Sequence, residues 1–507
     1  MQTDVGKASV PTWAKVVQNA RLFIQTYDRE ENDLGVENDD AAEDDAEVRA
    51  EQEDWMRLMQ DIDNGLDERD TSPEAEEYWA SLTDDVLENI DNWIRRQKET
   101  FQGINVPRPI VSLRRLNREQ RRAYRTVKRH FEAQSVDQLL LRLEGTAGTG
   151  KSYVINALCN LLPECHFVSA PTGRAANNVG GSTLHSLLHL MNPEELKGQQ
   201  LRMMQNRFKG VRYLIVDEYS MVGGKILHKI DRRLRQAMGR AQELFGGMSI
   251  ILAGDYKQLP PVCDTCLWDS HSSARSEAVM SGLGAFESFT TVVVLTQIVR
   301  QEGPEQAAFR ECLNNFRRGE AGQAEYDFLF PRTTGTARDT ARFDDALYLM
   351  YTREEVRNHN MIQLERLNRI GHRTARLDAL HNNKTAAALP QDQMQGLAPF
   401  VMIASGARVM ITSNLWTEVG LTNGAMGTVR SIIFAEGVLP PALPRAVVVE
   451  MDDGYLGPCL PGMPRHVVIN PKTVYSHSKG GSSETGSLER TQFPLMLAFV
   501  TIHKAQG

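Results

Sequence analysis

Eight consecutive residues have the types and spacing needed to bind the phosphates of a nucleotide. Residues 145–152 read GTAGTGKS, which fits the pattern Gly-x-x-x-x-Gly-Lys-Ser/Thr. Glycines let backbone N–H groups turn towards phosphate oxygens without a clash from a Cβ atom. Lys151 would bring its charge to the β- and γ-phosphates, and Ser152 would offer its hydroxyl to Mg²⁺. We therefore expect a nucleoside triphosphate at Gly145, Thr146, Ala147, Gly148, Thr149, Gly150, Lys151 and Ser152.

Two carboxylates further along the chain suit the hydrolysis of that nucleotide. Asp217 and Glu218 directly follow the apolar run YLIV, so they would lie at the end of a strand. Such a pair suits Mg²⁺ binding and the activation of water, with Asp217 near the metal and Glu218 as the base. Gln258, in the segment GDYKQLPPV, is a polar side chain placed to sense the γ-phosphate.

Short apolar runs predict the strands that position these residues. The runs are 139–143, 166–170, 213–218 and 249–254, and residues 151–162 predict a helix directly after the glycine-rich loop. Four strands separated by helical patterns indicate a parallel α/β sheet, whose site lies at the carboxyl ends of the strands.

Length and composition bound the class of protein. The chain has 507 residues, enough for roughly three domains. Its hydrophobic content of 41% and charged content of 24% are ordinary for a globular protein. No apolar run approaches the ~18 residues of a membrane helix, and the first residues lack the apolar core of a signal peptide. We expect an intracellular protein that does not contact a membrane.

The net charge of −8 hides two different regions. Residues 1–100 contain 28 acidic and 10 basic residues, whereas the remaining residues contain 37 acidic and 47 basic ones. A basic body is compatible with nucleic acid binding. Within the acidic leader, residues 74–97 have apolar side chains at helical spacing, which predicts either a structural helix or a helix that binds a protein partner.

The second half of the chain continues the alternating pattern and then changes. Residues 346–352, 400–404 and 408–412 read as further strands. From 427 to 471, short β runs are separated by proline and glycine, which predicts a small all-β insert. Residues 479–486 (KGGSSETG) read as a flexible loop.

The order of these motifs resembles the PIF (petite integration frequency) and RecD-like branch of superfamily 1B DNA helicases, from about Leu116 to Gly507. The matching segments are LNREQ, GTAGTGKS, APTGRAA with STLHS, VDEYSM, GDYKQLPPV, VRQ and TIHKAQG. A helix at 230–240 followed by Phe245, Gly246 and Gly247 is similar to the signature of the PIF type. The stretch WMRLMQ in the leader is similar to the region before the helicase domain of Helitron transposases.

The resemblance implies roles for individual residues. Gln120 would read the adenine of ATP, and Arg300 would act as an arginine finger that, with Gln258, reports the γ-phosphate across a cleft between two domains. Six residues would contact DNA: Thr172, Thr183, His185, Thr501, His503 and Lys504. The catalytic set would then be Lys151, Asp217, Glu218, Gln258 and Arg300, with Ser152 and Asp217 at Mg²⁺.

The resemblance also implies an α/β architecture of two RecA-like P-loop NTPase domains with parallel sheets. We expect a leader over 1–106, partly disordered or helical, and a first domain over 107–290 with a small wedge insert near 187–212. The second domain would cover 291–427 and 489–507, with an SH3-like insert over 428–488. The family's motif VI, with a second arginine, would follow Gly507, so we expect the chain to be truncated.

The expected activity is that of an ATP-dependent 5′-to-3′ DNA helicase that translocates on single-stranded DNA and unwinds forked DNA. The resemblance implies roles in DNA repair, recombination and telomere maintenance, a nuclear or mitochondrial location, and a monomer. Two alternatives remain open. One is a truncated or transposon-derived remnant that binds nucleic acid without efficient turnover, and the other is a scaffold that binds a protein through its acidic leader.

Overall fold

The computed structural model describes residues 90–101, 111–135, 137–191, 195–269, 276–301, 303–332, 348–350, 352–372, 374–476, 488–498 and 500–501. The chain divides into two compact units. One comprises 1–53 and 301–346, and the other comprises 54–300 and 347–507. No helix in the described ranges is both long enough and apolar enough to cross a membrane.

Six parallel strands form the first sheet and confirm the predicted α/β pattern. They are β1 (Leu140–Gly145), β2 (His166–Ala170), β3 (Ser182–Thr183), β4 (Tyr213–Val216), β5 (Ser249–Gly254) and β6 (Thr291–Leu295). Their order is β3-β2-β4-β5-β1-β6. All neighbouring pairs are parallel, so the carboxyl ends of the strands meet along one edge of the sheet.

Helices cover both faces of this sheet because alternate strand residues point to opposite sides. In β4, Ile215 packs into the core beneath α2 (Arg118–Glu132) and α3 (Lys151–Leu161). Leu214 points the other way, into a core shared with α6 (Gly198–Phe208), α7 (Gly224–Met238) and α8 (Glu277–Glu287). The short helices α4 (Gly173–Asn178) and α5 (Leu184–Leu188) follow β2 and β3.

The boundary predicted between residues 290 and 291 is wrong. Thr291–Leu295 is the edge strand of the first sheet and pairs in parallel with β1, from Leu141 with Thr291 to Gly145 with Leu295. The first domain therefore extends through β6. Apolar content alone could not assign this strand to a sheet, because partner choice depends on residues distant in sequence.

The segment expected to form a wedge insert packs into the first domain. Helix α6 buries Met204 and Phe208 in the same core as α7. Gln205 Nε2 donates to the carbonyl of Gln236, which lies in α7. Residues 198–208 are thus part of the helical layer that covers the sheet.

The Phe-Gly-Gly signature forms a braced turn after α7. Phe245, Gly246 and Gly247 all have positive φ, of 50°, 61° and 74°. A Cβ atom on Gly246 would lie 2.7 Å from the carbonyl oxygen of Leu234, so this position requires glycine. The buried carboxylate of Asp231 accepts the N–H of Phe245 and pairs with Arg235. The signature therefore positions α7 against β5.

The region after residue 347 is rich in antiparallel strands. Its elements are β7 (Leu349–Met350), α11 (Arg353–Arg369), β8 (Thr374–Asp378), β9 (Leu380–His381), α12 (Lys384–Ala388), β10 (Phe400–Ala404), β11 (Arg408–Ile411), β12 (Met426–Ile433), β13 (Ala446–Met451), β14 (His466–Ile469), β15 (Lys472–Ser476), β16 (Leu488–Gln492), β17 (Leu495–Leu497) and β18 (Val500–Thr501). Among the described residues here, parallel pairing is confined to β7 with β18. Helix α11 packs against both of these strands.

The predicted all-β insert corresponds to strands that extend beyond its expected limits. A five-stranded sheet has the order β14-β13-β12-β11-β17, and a three-stranded sheet has the order β15-β16-β9. Since β11 and β17 lie outside 428–488, the insert shares its larger sheet with the flanking chain. Its SH3-like character stays a prediction.

The end of the acidic leader packs on this β region. Helix α1 (Trp93–Thr100) follows Ile90, and both Ile90 and Trp93 are buried in the core that contains β13 and β14. Asn470 Nδ2 donates to the carbonyl of Ile90, and its Oδ1 accepts the N–H of Trp93. Of the predicted 74–97 helix, residues 90–97 can be described: 93–97 are helical and structural, whereas 90–92 precede the helix and are not helical. The residues before Ile90 lie outside the described ranges.

The described part of the other unit is a short helical segment. It contains α9 (Ala307–Arg318) and α10 (Gln323–Leu329). Asn315 Nδ2 donates to Oε1 of Glu325 at 2.7 Å, which links the two helices. Arg310 donates to the carbonyls of Gln301 and Gly303.

Candidate active site

The glycine-rich loop lies where predicted, between the carboxyl end of β1 and the first turn of α3. Gly148 and Gly150 have φ of 82° and 81°, a region that side chains with a Cβ rarely adopt. A Cβ atom on Gly150 would also lie 2.5 Å from Nε2 of Gln120. The loop conformation therefore requires glycine at this position.

Lys151 is held inside the loop. Its side chain is buried, and Nζ donates to the carbonyl of Gly145 at 2.8 Å and to that of Thr146 at 3.3 Å. Ser152, the next residue, is exposed on the first turn of α3. The ammonium group and the hydroxyl are therefore adjacent to the N-terminus of α3, where backbone N–H groups favour an anion.

Gln120 has a structural partner at each end of its amide. Nε2 donates to the carbonyl of Thr149 at 2.9 Å, and Oε1 accepts the N–H of Asn117 at 3.0 Å. Asn117 in turn caps α2 by accepting the N–H of Gln120. Gln120 thus fastens the start of α2 to the phosphate loop, a role that the sequence did not suggest. Its adenine contact stays a prediction.

The segment after β6 is tied to the same loop. The N–H groups of Val299 and Arg300 both donate to the carbonyl of Gly148, at 2.8 and 3.1 Å. Glu119 accepts hydrogen bonds from the N–H and hydroxyl of Thr296, and these bonds lower its pKa. The backbone of Arg300 therefore lies beside the phosphate loop, and its role as an arginine finger stays a prediction. Its side chain is exposed.

The predicted carboxylate pair lies at the carboxyl end of β4. Asp217 is 5% exposed, and its Oδ1 accepts the N–H of Glu218 at 3.0 Å. Burial, and after it the charge of Glu218, raise the pKa of Asp217 to about 6. Burial also raises the pKa of Glu218, whereas the charge of Lys151 lowers the pKa of both carboxyls. The sheet therefore places Lys151 close enough to Asp217 and Glu218 for its charge to interact with both carboxyls.

Glu218 has two features typical of a functional residue. Its φ is 52°, in the left-handed region that non-glycine residues seldom occupy. Its Oε2 atom is buried without a hydrogen-bond partner among the described residues. A buried carboxylate oxygen without a partner is costly, and such costs are typical of active sites.

These residues fit a divalent cation bound together with a nucleotide. Asp217 and Ser152 supply carboxylate and hydroxyl oxygens, the hard ligands that Mg²⁺ prefers. In the described ranges, no group of three or more His, Cys, Asp or Glu side chains could hold a metal alone.

Gln258 lies in the turn after β5. Its N–H donates to the carbonyl of Asp255 at 2.9 Å, and its side chain is half-buried. Sequence reasoning singled out Gln258 and missed Asp255, which is 2% exposed and whose charge raises the pKa of Glu218. Asp255 directly follows an apolar strand, as Asp217 does, and this position could have identified Asp255 from the sequence.

Two of the predicted DNA-contacting residues are helix caps. Thr172 accepts the N–H of Ala175 at the start of α4, and Thr183 accepts the N–H of Ser186 at the start of α5. Thr183 is buried, and His185 is half-buried with a pKa lowered by burial and by Lys229. Thr172 follows β2, Thr183 ends β3 and His185 follows it, so all three lie with the carboxylates at the carboxyl ends of the strands.

A loop of the later β region reaches this edge and was not predicted. A Cβ atom on Gly173, in α4, would lie 2.4 Å from Oδ1 of Asn414. That oxygen accepts the N–H of Asn423 at 2.9 Å, so the loop is held in a defined conformation. Thr501 belongs to β18, where it pairs with Met350, whereas His503 and Lys504 lie outside the described residues.

Together, the parallel sheet, the phosphate loop and the strand-end acids define a P-loop nucleotide-binding protein of the RecA-like class. Residues 115–326 match the family model of the PIF1-like helicases.

Relatives and solved structures agree with this family. The chain is 28% identical over 376 residues to the ATP-dependent DNA helicase PIF1 of Xenopus laevis, covering 72% of this chain and 52% of that protein. The Homo sapiens PIF1 helicase is 28% identical over 374 residues, with the same coverage. This chain thus spans about half the length of these relatives.

The solved structures include a Pif1 helicase from Bacteroides in complex with ADP-AlF3 and ssDNA. It is 26% identical with a TM-score of 0.54, over 77% of this chain and 84% of that chain. A Pif1 helicase from Candida albicans is 26% identical with a TM-score of 0.52, over 77% and 86%.

Proposed function

We propose that the protein is an ATP-dependent DNA helicase that translocates 5′-to-3′ on single-stranded DNA and unwinds forked duplexes. The observation that carries this proposal is the pair of buried Asp217 and half-buried Glu218, which interacts electrostatically with Lys151 of the phosphate loop. The match of residues 115–326 to the PIF1-like helicases supports helicase chemistry.

Hydrolysis would use the groups described above in separate roles. Lys151 binds the β- and γ-phosphates in place of the loop carbonyls that it now contacts. Ser152 and Asp217 hold Mg²⁺, which neutralises charge on the phosphates when bound. Glu218 orients the attacking water and accepts its proton, a role for which a buried carboxyl with a raised pKa is suited.

Conformational changes that depend on the bound nucleotide would be transmitted to the rest of the protein through the phosphate loop. Gly148 is bonded to Val299 and Arg300, so a change in the loop shifts the backbone that carries the proposed arginine finger. Gln258 reports the γ-phosphate from the turn after β5. Such links convert phosphate binding and release into a conformational step.

DNA would lie along the edge that carries Thr172, Thr183 and His185, and further contacts would come from Thr501, His503 and Lys504. The close approach of Gly173 and Asn414 supports this placement because it joins the first domain to the later β region beside these residues. Phosphate contacts would dominate, so binding should be salt-dependent and nearly independent of sequence.

The wider context follows from the same family. We propose that the chain acts as a monomer in the nucleus or the mitochondrion, in DNA repair, recombination and telomere maintenance, with a protein partner bound through the acidic leader.

The test compares strand displacement on forks with a 5′ or a 3′ single-stranded arm, with ATP hydrolysis measured with and without an oligothymidine. We expect unwinding of the 5′-arm fork alone and hydrolysis stimulated by DNA. Lys151→Ala should abolish hydrolysis and leave DNA binding without nucleotide intact, whereas Lys384→Ala, at an exposed site, should change neither. DNA binding without turnover by the unaltered chain would favour the remnant instead.

A further inference from the structure

One face of α2 carries a row of arginines that the proposed ATP cycle does not use. Arg118, Arg122, Arg125 and Arg129 recur at helical spacing, and all four side chains are exposed. We call these four residues the arginine stripe. Arg114 and Arg115, also exposed, precede it in the turn Leu113–Arg115.

The stripe has no compensating acid in the described part of the chain. None of its members forms an ion pair with a described residue. The acids of α2 are engaged elsewhere, because Glu119 accepts from Thr296 and Glu132 pairs with Lys128. Like charges at this spacing destabilise a helix slightly.

The face of α2 opposite the arginine stripe is the one that packs against the rest of the domain. Gln120, Ala123 and Val127 are buried against the sheet and α3. The stripe therefore faces away from the phosphate loop that Gln120 holds. It also lies far from Thr183, because α2 packs on β6 whereas Thr183 ends β3, the strand on the opposite side of the sheet. Five strand spacings of about 4.8 Å separate these two strands, or about 24 Å.

The dimensions of the stripe match a phosphodiester backbone. Arg118 and Arg129 are eleven helical rises of about 1.5 Å apart, so the four arginines are distributed along about 16 Å of the helix. One strand of duplex DNA carries a phosphate per about 3.4 Å of helix axis, so the stripe runs beside about five phosphates. Guanidinium groups also match phosphate oxygens with two parallel hydrogen bonds.

The surface is less suited to an acidic protein. No large apolar side chain is exposed between Arg118 and Arg129, whereas protein interfaces are usually built around an apolar or aromatic centre. A row of charge without such a centre fits a regular polyanion.

We propose that the arginine stripe binds the phosphate backbone of duplex DNA at a surface separate from the ATP site and from the single-strand contacts. The inference rests on the proposed function in that DNA is the ligand. It adds a second, sequence-independent binding surface that would hold the duplex part of a fork while the single strand is moved.

The test measures equilibrium binding of the full chain, without nucleotide, to a blunt 20-base-pair duplex and to oligothymidine. The stripe variant combines Arg118→Gln, Arg122→Gln, Arg125→Gln and Arg129→Gln. The control variant removes the same charge at exposed sites elsewhere, by Arg95→Gln, Arg366→Gln, Arg369→Gln and Lys384→Gln.

We expect the stripe variant to bind the duplex roughly 10- to 100-fold more weakly at 100 mM salt, and the control variant less than about 3-fold more weakly. The slope of log affinity against log salt should become shallower by about 0.9 for each phosphate that the variant no longer binds. Oligothymidine binding should change less than about 3-fold in both.

Several results would overturn the inference. The first is equal duplex binding by the stripe and control variants. The second is an equal loss of single-strand and duplex binding in the stripe variant. The third is displacement of the bound duplex by an acidic peptide at a lower concentration than by unlabelled duplex. A lysine version of the stripe, which keeps the charge, should restore most of the duplex affinity. If it folds as judged by its thermal unfolding and still binds as weakly as the glutamine version, phosphate binding by the stripe is excluded.

The outcomes also separate this inference from the proposed function. If the unaltered chain binds neither duplex DNA nor oligothymidine, both proposals are excluded. If the unaltered chain binds DNA and the stripe variant binds it equally well, only the proposal about the arginine stripe is excluded. Duplex binding that depends on the stripe, in a chain without ATP hydrolysis, removes only the enzymatic proposal.

Discussion

The backbone N–H of Arg300 donates a hydrogen bond to the carbonyl of Gly148, 3.1 Å away. Gly148 is part of the phosphate loop and has a positive φ, so its carbonyl direction is set by the loop conformation. Arg300 lies in the segment that follows β6. A rearrangement of the loop on nucleotide binding would therefore reach Arg300 without any intervening side chain.

Glu218→Gln and Asp217→Asn should have different effects. Glu218→Gln keeps size and shape but removes the base, so ATP should still bind while turnover falls by about 10² or more. Asp217→Asn should weaken nucleotide binding and its Mg²⁺ dependence together, since Asp217 is assigned to the metal. The measurement is nucleotide affinity and turnover at several Mg²⁺ concentrations. Glu243→Gln, an exposed change, serves as the control, and indistinguishable nucleotide binding by the two variants would refute the assignment.

The buried Asp217 should make stability depend on pH in the absence of nucleotide and Mg²⁺. Its pKa rises from 3.8 to about 6 on folding, so the folded state binds the proton more tightly. That stabilisation is complete below about pH 4 and is lost as the pH rises through 6. Asp217→Asn should therefore gain stability relative to the unaltered chain between pH 4.5 and 7.5, by on the order of 2 kcal/mol.

Urea unfolding at the two pH values measures this effect. Asp137→Asn, which changes an exposed carboxyl, should show no such gain. A constant difference between Asp217→Asn and the unaltered chain at both pH values would show that burial does not shift the pKa of Asp217.

Gln120→Ala separates two roles for one side chain. If Gln120 mainly fastens the phosphate loop through Thr149, the variant should bind ATP and GTP more weakly by a similar factor. If Gln120 reads adenine, only the preference for ATP should disappear. We expect both nucleotides to weaken, because both ends of the amide already bind protein groups. Gln138→Ala, which also removes hydrogen bonds to two backbone carbonyls, is the matched control for titrations with both nucleotides.

Trp93→Ala should destabilise the β region. Trp93 is 5% exposed, and truncation of a buried tryptophan costs about 3–5 kcal/mol. Arg95→Ala, on the exposed side of the same helix, should stay within about 0.5 kcal/mol of the unaltered chain. The free energy of unfolding of both variants is measured by denaturant titration, with far-ultraviolet circular dichroism as the signal because it does not depend on tryptophan fluorescence. Equal stability of the two variants would mean that the leader helix does not support the core.

The strands of the first sheet could be predicted because each is an apolar run of a length that suits a buried parallel strand. His166–Ala170 and Ser249–Gly254 are observed with their predicted limits. Lys151, Asp217 and Glu218 could be predicted because their chemistry depends on local sequence around a strand end. The structure places all three in one site.

Other features depend on partners that are distant in sequence. The membership of β6 in the first sheet, the bond from Gln120 to Thr149 and the close approach of Asn414 to Gly173 all join separate segments. Hydrophobic periodicity reports which face of an element is buried and does not report what covers it. The roles of these residues therefore required coordinates.

The anchoring of Ile90 and Trp93 on the β region bears on how fragments of this protein should be made. Arg445 forms a two-bond ion pair with Asp91, and Lys98 donates to the carbonyl of Leu415. A fragment that starts at Leu116, where the similarity to helicases begins, would leave the pocket of Trp93 open to water. A cloning boundary upstream of Ile90 keeps that pocket filled, and purification yield should differ accordingly between the two fragments.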